Sequence, residues 1–188
     1  HRVVASETCL IHPQKFDIII SAVKKWIKKF GVSVYSEDTH KGLIRHIYIR
    51  NAESTGEMMV CLVINGTDIP FKNELINCLE KLDLNIVSIS ININREKTNV
   101  ILGKKFEFIW GKTQITDYLL GIKFDISPES FYQVNKKQTE VLYSIIKDNI
   151  ALTGNDLLID LYCGIGTIGL VLSSKASNVI GVEVVSGA

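Results

Sequence analysis

The sequence predicts an α+β domain of mostly antiparallel strands with two helices, followed by the opening of a parallel α/β domain. Three observations carry this. Residues 12–30 place Phe16, Ile19, Ile20, Val23, Ile27 and Phe30 at three- and four-residue spacing, an apolar helical stripe. Residues 86–94 set Ser88, Ser90, Asn92 and Asn94 against Val87, Ile89, Ile91 and Ile93, the two-residue period of a strand with one wet and one dry face. Residues 157–184 run as apolar segment, glycine-rich turn, apolar helix and second apolar segment, which is a βαβ unit. The character changes near Ser127 and Pro128, so the expected domains are 1–126 and 127–188.

Taken in order, the first helix ends at Gly31, a residue suited to a left-handed C-terminal cap, and its outer face carries Lys24, Lys25, Lys28 and Lys29. Residues 32–35, 43–50 and 58–65 read as strands, the last two joined by the turn residues 51–56. Residues 70–82 read as the second helix, with Leu75, Ile76, Leu79 and Leu82 on one side. Further short strands are expected at 100–102, 105–110, 114–119 and 122–126, punctuated by Gly103, Gly111 and Gly121. Asn135 followed by Gln138 resembles a capping box, and the helix it opens runs to about Ile150 with Val141, Leu142, Ile145 and Ile146 inward. Residues 157–162 form a nearly all-apolar strand, as expected where both faces are covered. A helix over 167–176 and a strand over 178–184 complete the unit. Two parallel strands do not make a complete sheet, so the natural protein is expected to continue beyond Ala188.

Composition excludes several classes. The chain has 188 residues, is 46% hydrophobic and carries a net charge of +1, ordinary for a globular protein. The charge divides as +3 over 1–126 and −2 over 127–188, so any basic surface belongs to the first part. No apolar run approaches the roughly 18 to 20 residues of a membrane span, and no signal peptide is evident. Cys9, Cys61, Cys78 and Cys163 form no CxxC pair, which argues against a self-contained zinc site and for a reducing, cytoplasmic setting.

The chemistry concentrates at Asp160-Leu161-Tyr162-Cys163-Gly164-Ile165-Gly166-Thr167-Ile168-Gly169. It follows a strand and opens a helix, as in a Rossmann-like domain, and Glu183 ends the next strand. Glycines such as Gly164 let the backbone approach a ligand, and a carboxylate at 183 is placed to accept from both ribose hydroxyls. Asp160 discriminates between ligands. A dinucleotide would bring pyrophosphate against like charge, whereas S-adenosylmethionine brings an ammonium and a sulfonium. The methyl donor is therefore the favoured ligand, with a dinucleotide or a purely structural turn as alternatives. Tyr162 either stacks on adenine or packs under the loop. Cys163 has no base near it in sequence and reads as a packed thiol, not a nucleophile.

Ser130-Phe131-Tyr132-Gln133-Val134-Asn135, followed by the glycine motif, resembles the RNA (uracil-5-)-methyltransferase family. Leu43 to His46, Thr55 to Val60 and Leu102 to Lys104 also resemble that family's central domain, so the likeness covers essentially the whole chain. The pattern is nearer to the family's 23S ribosomal RNA enzymes than to its transfer RNA enzymes. The resemblance implies a class I S-adenosylmethionine-dependent methyltransferase domain, with Gln133 contacting the donor, Tyr162 at its adenosine and Glu183 at its ribose. Thr167 stands where some relatives carry a cofactor-contacting Asn. The implied reaction adds a cysteine thiolate to C6 of uracil, makes C5 nucleophilic toward the methyl, and then removes the C5 proton. The implied nucleophile, base and Asp-Pro-Pro motif lie beyond the second parallel strand, so no catalytic residue is assigned and the 188 residues are expected to be inactive alone. An iron–sulfur cluster is implied for many relatives, with Cys9 at its last ligand position; the other ligands are not in this chain, so no metal is expected. RNA is the implied partner, ribosomal before transfer RNA, with no membrane and a monomeric protein. Candidate RNA contacts are Lys24, Lys25, Lys28, Lys29, Lys41, Arg45, Arg50, Lys104 and Lys105, although a lysine-rich helix face is more often simply solvated. A nicotinamide-dependent oxidoreductase, NAD(P)-linked, and an RNA-binding module with a vestigial Rossmann half are the competing readings.

Overall fold

The computed structural model describes residues 8–185. The chain forms two compact units, one of residues up to Asn51 with Met58–Thr113, the other of Ala52–Glu57 with Gln114 onward.

In the first unit, helix α1 (Lys15–Phe30) buries Ile19, Ala22, Val23 and Trp26. It starts at Lys15 rather than His12, because a residue before proline disfavours helical backbone and Pro13 itself fits only the first turn. Gly31 closes it at φ +63°, donating its N–H to the carbonyl of Ile27. Strands β1 (Ile44–Asn51), β2 (Met58–Ile64), β3 (Ile86–Ile93) and β4 (Lys105–Gly111) form one sheet in that order. Pairs β1–β2 and β3–β4 are antiparallel. Pair β2–β3 is parallel, as its connection through helix α2 (Lys72–Glu80) requires. Every residue of β2, one of the two interior strands, is buried. Ile19, Val23 and Trp26 of α1, Leu75 and Leu79 of α2, and Val60, Leu62, Ile89 and Ile91 of the sheet share one core.

Residues 32–35 do not form a strand. Only isolated bridges, Val34 to Ile44 and Ser36 to Lys41, tie this segment down. The polar face of β3 is not wet either. Ser88, Ser90 and Asn92 are fully buried and Asn94 is nearly so. The asparagines are satisfied by backbone that sequence periodicity does not reveal. Asn92 Nδ2 donates to the carbonyl of Gly103 at 2.8 Å, and its Oδ1 accepts from the Gly103 N–H at 2.6 Å. Asn94 Nδ2 donates to the carbonyls of Val100 and Ile101 at 2.8 and 3.0 Å. Residues 100–102, expected as a strand, are therefore held by side chains instead of a ladder. A Cβ on Gly103 would stand 2.0 Å from the Ile93 carbonyl oxygen, so only glycine allows this approach.

Arg45 is the extra residue of a bulge, where the β1–β2 register shifts between Ile44 and His46. Its guanidinium is 1% exposed. It donates to the carbonyls of Asn94, Glu96 and Thr98 at 3.0, 2.8 and 3.1 Å and lies 4.5 Å over the Tyr35 ring. Arg50 donates through Nε to the Tyr48 hydroxyl at 2.6 Å. Arg45 is thus a buried latch, and the expectation that it faces RNA is corrected.

The second unit contains the hairpin β5 (Ile115–Leu119) and β6 (Ile122–Ile126), turned at Leu120 and Gly121, both at positive φ. This hairpin groups with the residues C-terminal to it and with the turn Ala52–Glu57, so the compact units do not divide at 126/127. Helix α3 (Lys136–Asn149) is capped as its sequence suggests, Asn135 Oδ1 accepting from the Gln138 N–H at 3.1 Å. Its inward residues are Thr139 and Tyr143, whereas Val141, Leu142 and Ile145 are about half exposed. The expected inward stripe is corrected. Strands β7 (Leu157–Leu161) and β8 (Asn178–Val182) pair in parallel around helix α4 (Thr167–Leu172), which continues as a 3-10 turn over Ser173–Lys175. This is the predicted βαβ. The expectation that β7 is covered on both faces does not hold among the described residues. Leu157, Ile159 and Leu161, with their β8 neighbours Ile180 and Val182, remain roughly half exposed on one face. No helix among the described residues is long and apolar enough to cross a membrane.

Candidate functional site

At the carboxyl ends of β7 and β8 the chain opens a cavity of about 470 Å³, inside the second unit. Asp160, Cys163, Gly164, Ile165, Gly166 and Gly169 form one wall, with Val179 and Gly181 of β8. Gln114, Asp125 and Ser130 line it from the hairpin and the segment after it. This is where a parallel βαβ presents ligands, at strand ends beside a helix start.

Asp160 sits in this wall with one oxygen already engaged. Oδ2 accepts from the Gly169 N–H at 2.9 Å, so the carboxylate caps the first turn of α4. A Cβ on residue 169 would approach that oxygen to 3.0 Å and Val179 Cγ1 to 3.1 Å, which is why glycine stands there. Asp160 thus both lines the cavity and holds the first turn of α4.

Glu183 shapes the glycine loop. Its Oε2 accepts from the Gly164 N–H at 2.9 Å, and Oε1 accepts from the N–H groups of Val184 and Val185 at 2.8 Å each. The Val185 and Gly164 N–H groups hold its carboxyl below the ordinary value of 4.5. A depressed carboxyl contributes order that is present above 4.5 and disappears as pH falls through its lower, folded-state value. The Gly164 amide resonance is therefore expected to titrate with a midpoint below 4.5, and a midpoint at or above 4.5 in an NMR pH series would contradict the contact.

Tyr162 is 87% exposed and takes a left-handed φ of +57°. It does not pack under the loop, so the second of its two readings is set aside. Gln133 is exposed and does not line the cavity, although Ser130 of the same motif does. Thr167 is engaged internally, its hydroxyl 2.9 Å from that of buried Tyr143. The Cys163 thiol packs onto β8, where a Cβ on Gly181 would stand 2.9 Å from its sulfur. Cys61 lies fully buried in β2, and burial pushes its thiol up to about 11. Cys61 is therefore no ready nucleophile.

Ser130, Gln114 and Asp125 were not read from the sequence as cavity residues. Gln114 and Asp125 fall before the composition change, and the available signal was the place of Ser130 at the start of the motif that carries Gln133.

The site fits S-adenosylmethionine by shape and charge: a glycine-walled cavity at strand ends, with two carboxylates and a backbone cradle but no basic side chain in its lining. Among the described residues no group of three His, Cys, Asp or Glu is placed to hold a metal ion.

No protein-family model matches the chain. An uncharacterized RNA methyltransferase of Clostridium tetani is 47% identical over all 188 residues, which span 41% of that protein. A similarly named protein of Listeria innocua is 46% identical, with the same coverage. The crystal structure of Pyrococcus abyssi tRNA (uracil-54, C5)-methyltransferase in complex with S-adenosyl-L-homocysteine superposes with a TM-score of 0.80 and 27% identity, over 97% of this chain and 43% of that one. The second unit thus has the partial Rossmann-like fold of an S-adenosylmethionine-dependent methyltransferase. Over its whole length the chain is a relative of the RNA methyltransferases, matching a stretch that makes up 41% of each of these two bacterial proteins.

Proposed function

We propose that the protein methylates C5 of uracil in RNA from S-adenosylmethionine, with ribosomal RNA as the expected substrate. The observation that carries this is the cavity lined by Asp160, Asp125 and the glycine loop, whose Gly164 N–H is held by Glu183 just outside the lining, in a chain whose relatives bear the name RNA methyltransferase. Its lining offers carboxylates to an ammonium, a sulfonium and ribose hydroxyls, and would repel a pyrophosphate. Tyr162 presents its ring to the adenine, Glu183 meets the ribose, and Gln133 closes on the donor. Bound donor supplies the electrophilic methyl; this chain's residues hold it and exclude water.

Cys61 is too deeply buried to be the thiol the reaction needs, and the family resemblance places the nucleophile beyond the second parallel strand. We therefore expect these 188 residues alone to transfer no methyl group. The four cysteines are free, which suits a cytoplasmic reaction.

Titration of the full-length protein with S-adenosylhomocysteine and, separately, NADH tests the ligand. Saturable binding of the former is expected; binding of NADH alone would overturn the reading. Incubation with labelled donor and unmodified ribosomal or transfer RNA then tests the reaction. Label at C5-methyluridine in ribosomal RNA is expected. Label confined to transfer RNA would overturn the substrate, and RNA binding without label would favour a non-catalytic module.

A further inference from the structure

Asp117 of β5 is 1% exposed, a charge that folding has taken out of water. Such a group needs several donors to be tolerated. Oδ1 accepts from the N–H groups of Ser54 and Tyr118 at 2.8 and 2.9 Å, and Oδ2 from the Glu53 N–H at 3.2 Å. The turn Ala52–Glu57 is fastened to the same strand by side chains on both sides of this carboxylate. Thr55 Oγ1 donates to the Thr116 carbonyl at 2.6 Å, Ser54 Oγ donates to the Tyr118 carbonyl at 3.0 Å, and the Thr116 N–H donates to Glu57 Oε2 at 2.8 Å.

The remaining donor is functional by position. Tyr132, within the segment that carries Ser130 and Gln133, points its hydroxyl at Asp117 Oδ2 at 3.4 Å. Its ring centroid lies 6.2 Å from that of buried Phe124 on β6. Burial, and then the Asp117 charge, hold the phenol protonated, so it remains a donor. Ser130, two residues before, lines the cavity; Gln133 is the next residue after.

We propose that Asp117 is a positioning residue for the donor-binding segment 130–135, acting through the Tyr132 hydroxyl. The carboxylate is fixed by the turn at 53–54 and in turn fixes Tyr132, which sets where Ser130 and Gln133 stand beside the cavity. This rests on the reading that the cavity takes S-adenosylmethionine and that Gln133 contacts it.

The test is a double-mutant cycle in the full-length protein, with calorimetric affinity for S-adenosylhomocysteine and the thermal midpoint measured for each variant. Gln133→Ala establishes the contact itself. Tyr132→Phe removes one hydroxyl and no packing, and is expected to weaken binding roughly three- to tenfold with little change in thermal midpoint. Combined with Gln133→Ala, it is expected to add nothing beyond the loss caused by Gln133→Ala alone. Asp117→Asn should reproduce the affinity loss and also speed hydrogen exchange at the Ser54 amide; should that variant fail to fold, the tyrosine cycle decides. Loss of affinity in Gln133→Ala with none in Tyr132→Phe would overturn the proposal and leave the donor reading intact. Additive losses would also overturn it, since the hydroxyl would then act independently of Gln133. Unchanged affinity in Gln133→Ala would remove the donor contact and the proposal together.

Discussion

Arg45→Met is expected to destabilise the first unit by about 3 kcal/mol, the scale for losing several hydrogen bonds from a buried charged donor. The guanidinium is 1% exposed and serves three carbonyls that no neighbouring donor replaces at those distances. Glu37, its ion-pair partner at 3.7 Å, is 65% exposed and returns to water without penalty, so the loss is in the carbonyls of 94–98 and the Tyr35 stack. In a unit of this size the shift corresponds to a fall of roughly 10–20 °C in thermal midpoint. Arg45→Lys should recover less than half of it. An ammonium is a point donor on a flexible stem, and it does not span three carbonyls in the way a planar fork does. Because the chain has two compact units, the change should appear in the first unit's transition, read by hydrogen exchange at β3 amides. A loss under about 1 kcal/mol for Arg45→Met would show that the latch is replaceable.

Glu183→Gln is expected to lower affinity for S-adenosylhomocysteine by roughly ten- to a hundredfold in the full-length protein. The carboxylate accepts three backbone N–H groups through two oxygens. A glutamine keeps one acceptor oxygen and turns an NH2 toward backbone donors, so either Gly164 or the Val184–Val185 amides lose their partner. The substitution thus takes away one of the two proposed ribose acceptors, and the charge, and loosens the loop around it at the same time. Those effects separate by measurement. A Gly164 amide resonance unchanged in the variant, with affinity lost, assigns the loss to the ligand contact; a shifted resonance assigns part of it to the loop. Wild-type affinity in Glu183→Gln would remove Glu183 from the donor site.

The local signals in this sequence carried far, and the long-range ones did not. Helix α1 was readable from its stripe and Gly31, and the start of α3 from Asn135 and Gln138, because caps and periodicity are written in adjacent residues. The βαβ unit was readable for the same reason. The burial of Ser88, Ser90 and Asn92 was not, since alternation gives two faces without saying that both are covered. Segment 100–102 was misread because the carbonyls of Val100 and Ile101 accept from the side chain of Asn94, six and seven residues upstream, rather than from a strand. Arg45 and Asp117 were illegible in their roles. Their partners lie 49–53 and 63–64 residues away in sequence, and a lone Arg or Asp on a strand gives no hint of such a contact. At the site, Asp160 and Gly164 line the cavity and Glu183 accepts from the Gly164 N–H, while Glu183, Tyr162 and Gln133 themselves stand outside the cavity lining, and their contacts with the donor are proposals.

Tyr162 has a consequence for the energetics of the loop. A bulky side chain at φ +57° costs on the order of 1–3 kcal/mol relative to relaxed backbone. With the ring 87% exposed, little burial offsets that cost. A glycine at this position would relieve the strain, so the loop is less stable than its own backbone permits. Replacing Tyr162 by glycine is therefore expected to stabilise the loop, and, under the proposed adenine contact, to weaken binding of the donor, so that stability and affinity would trade against each other at this one position.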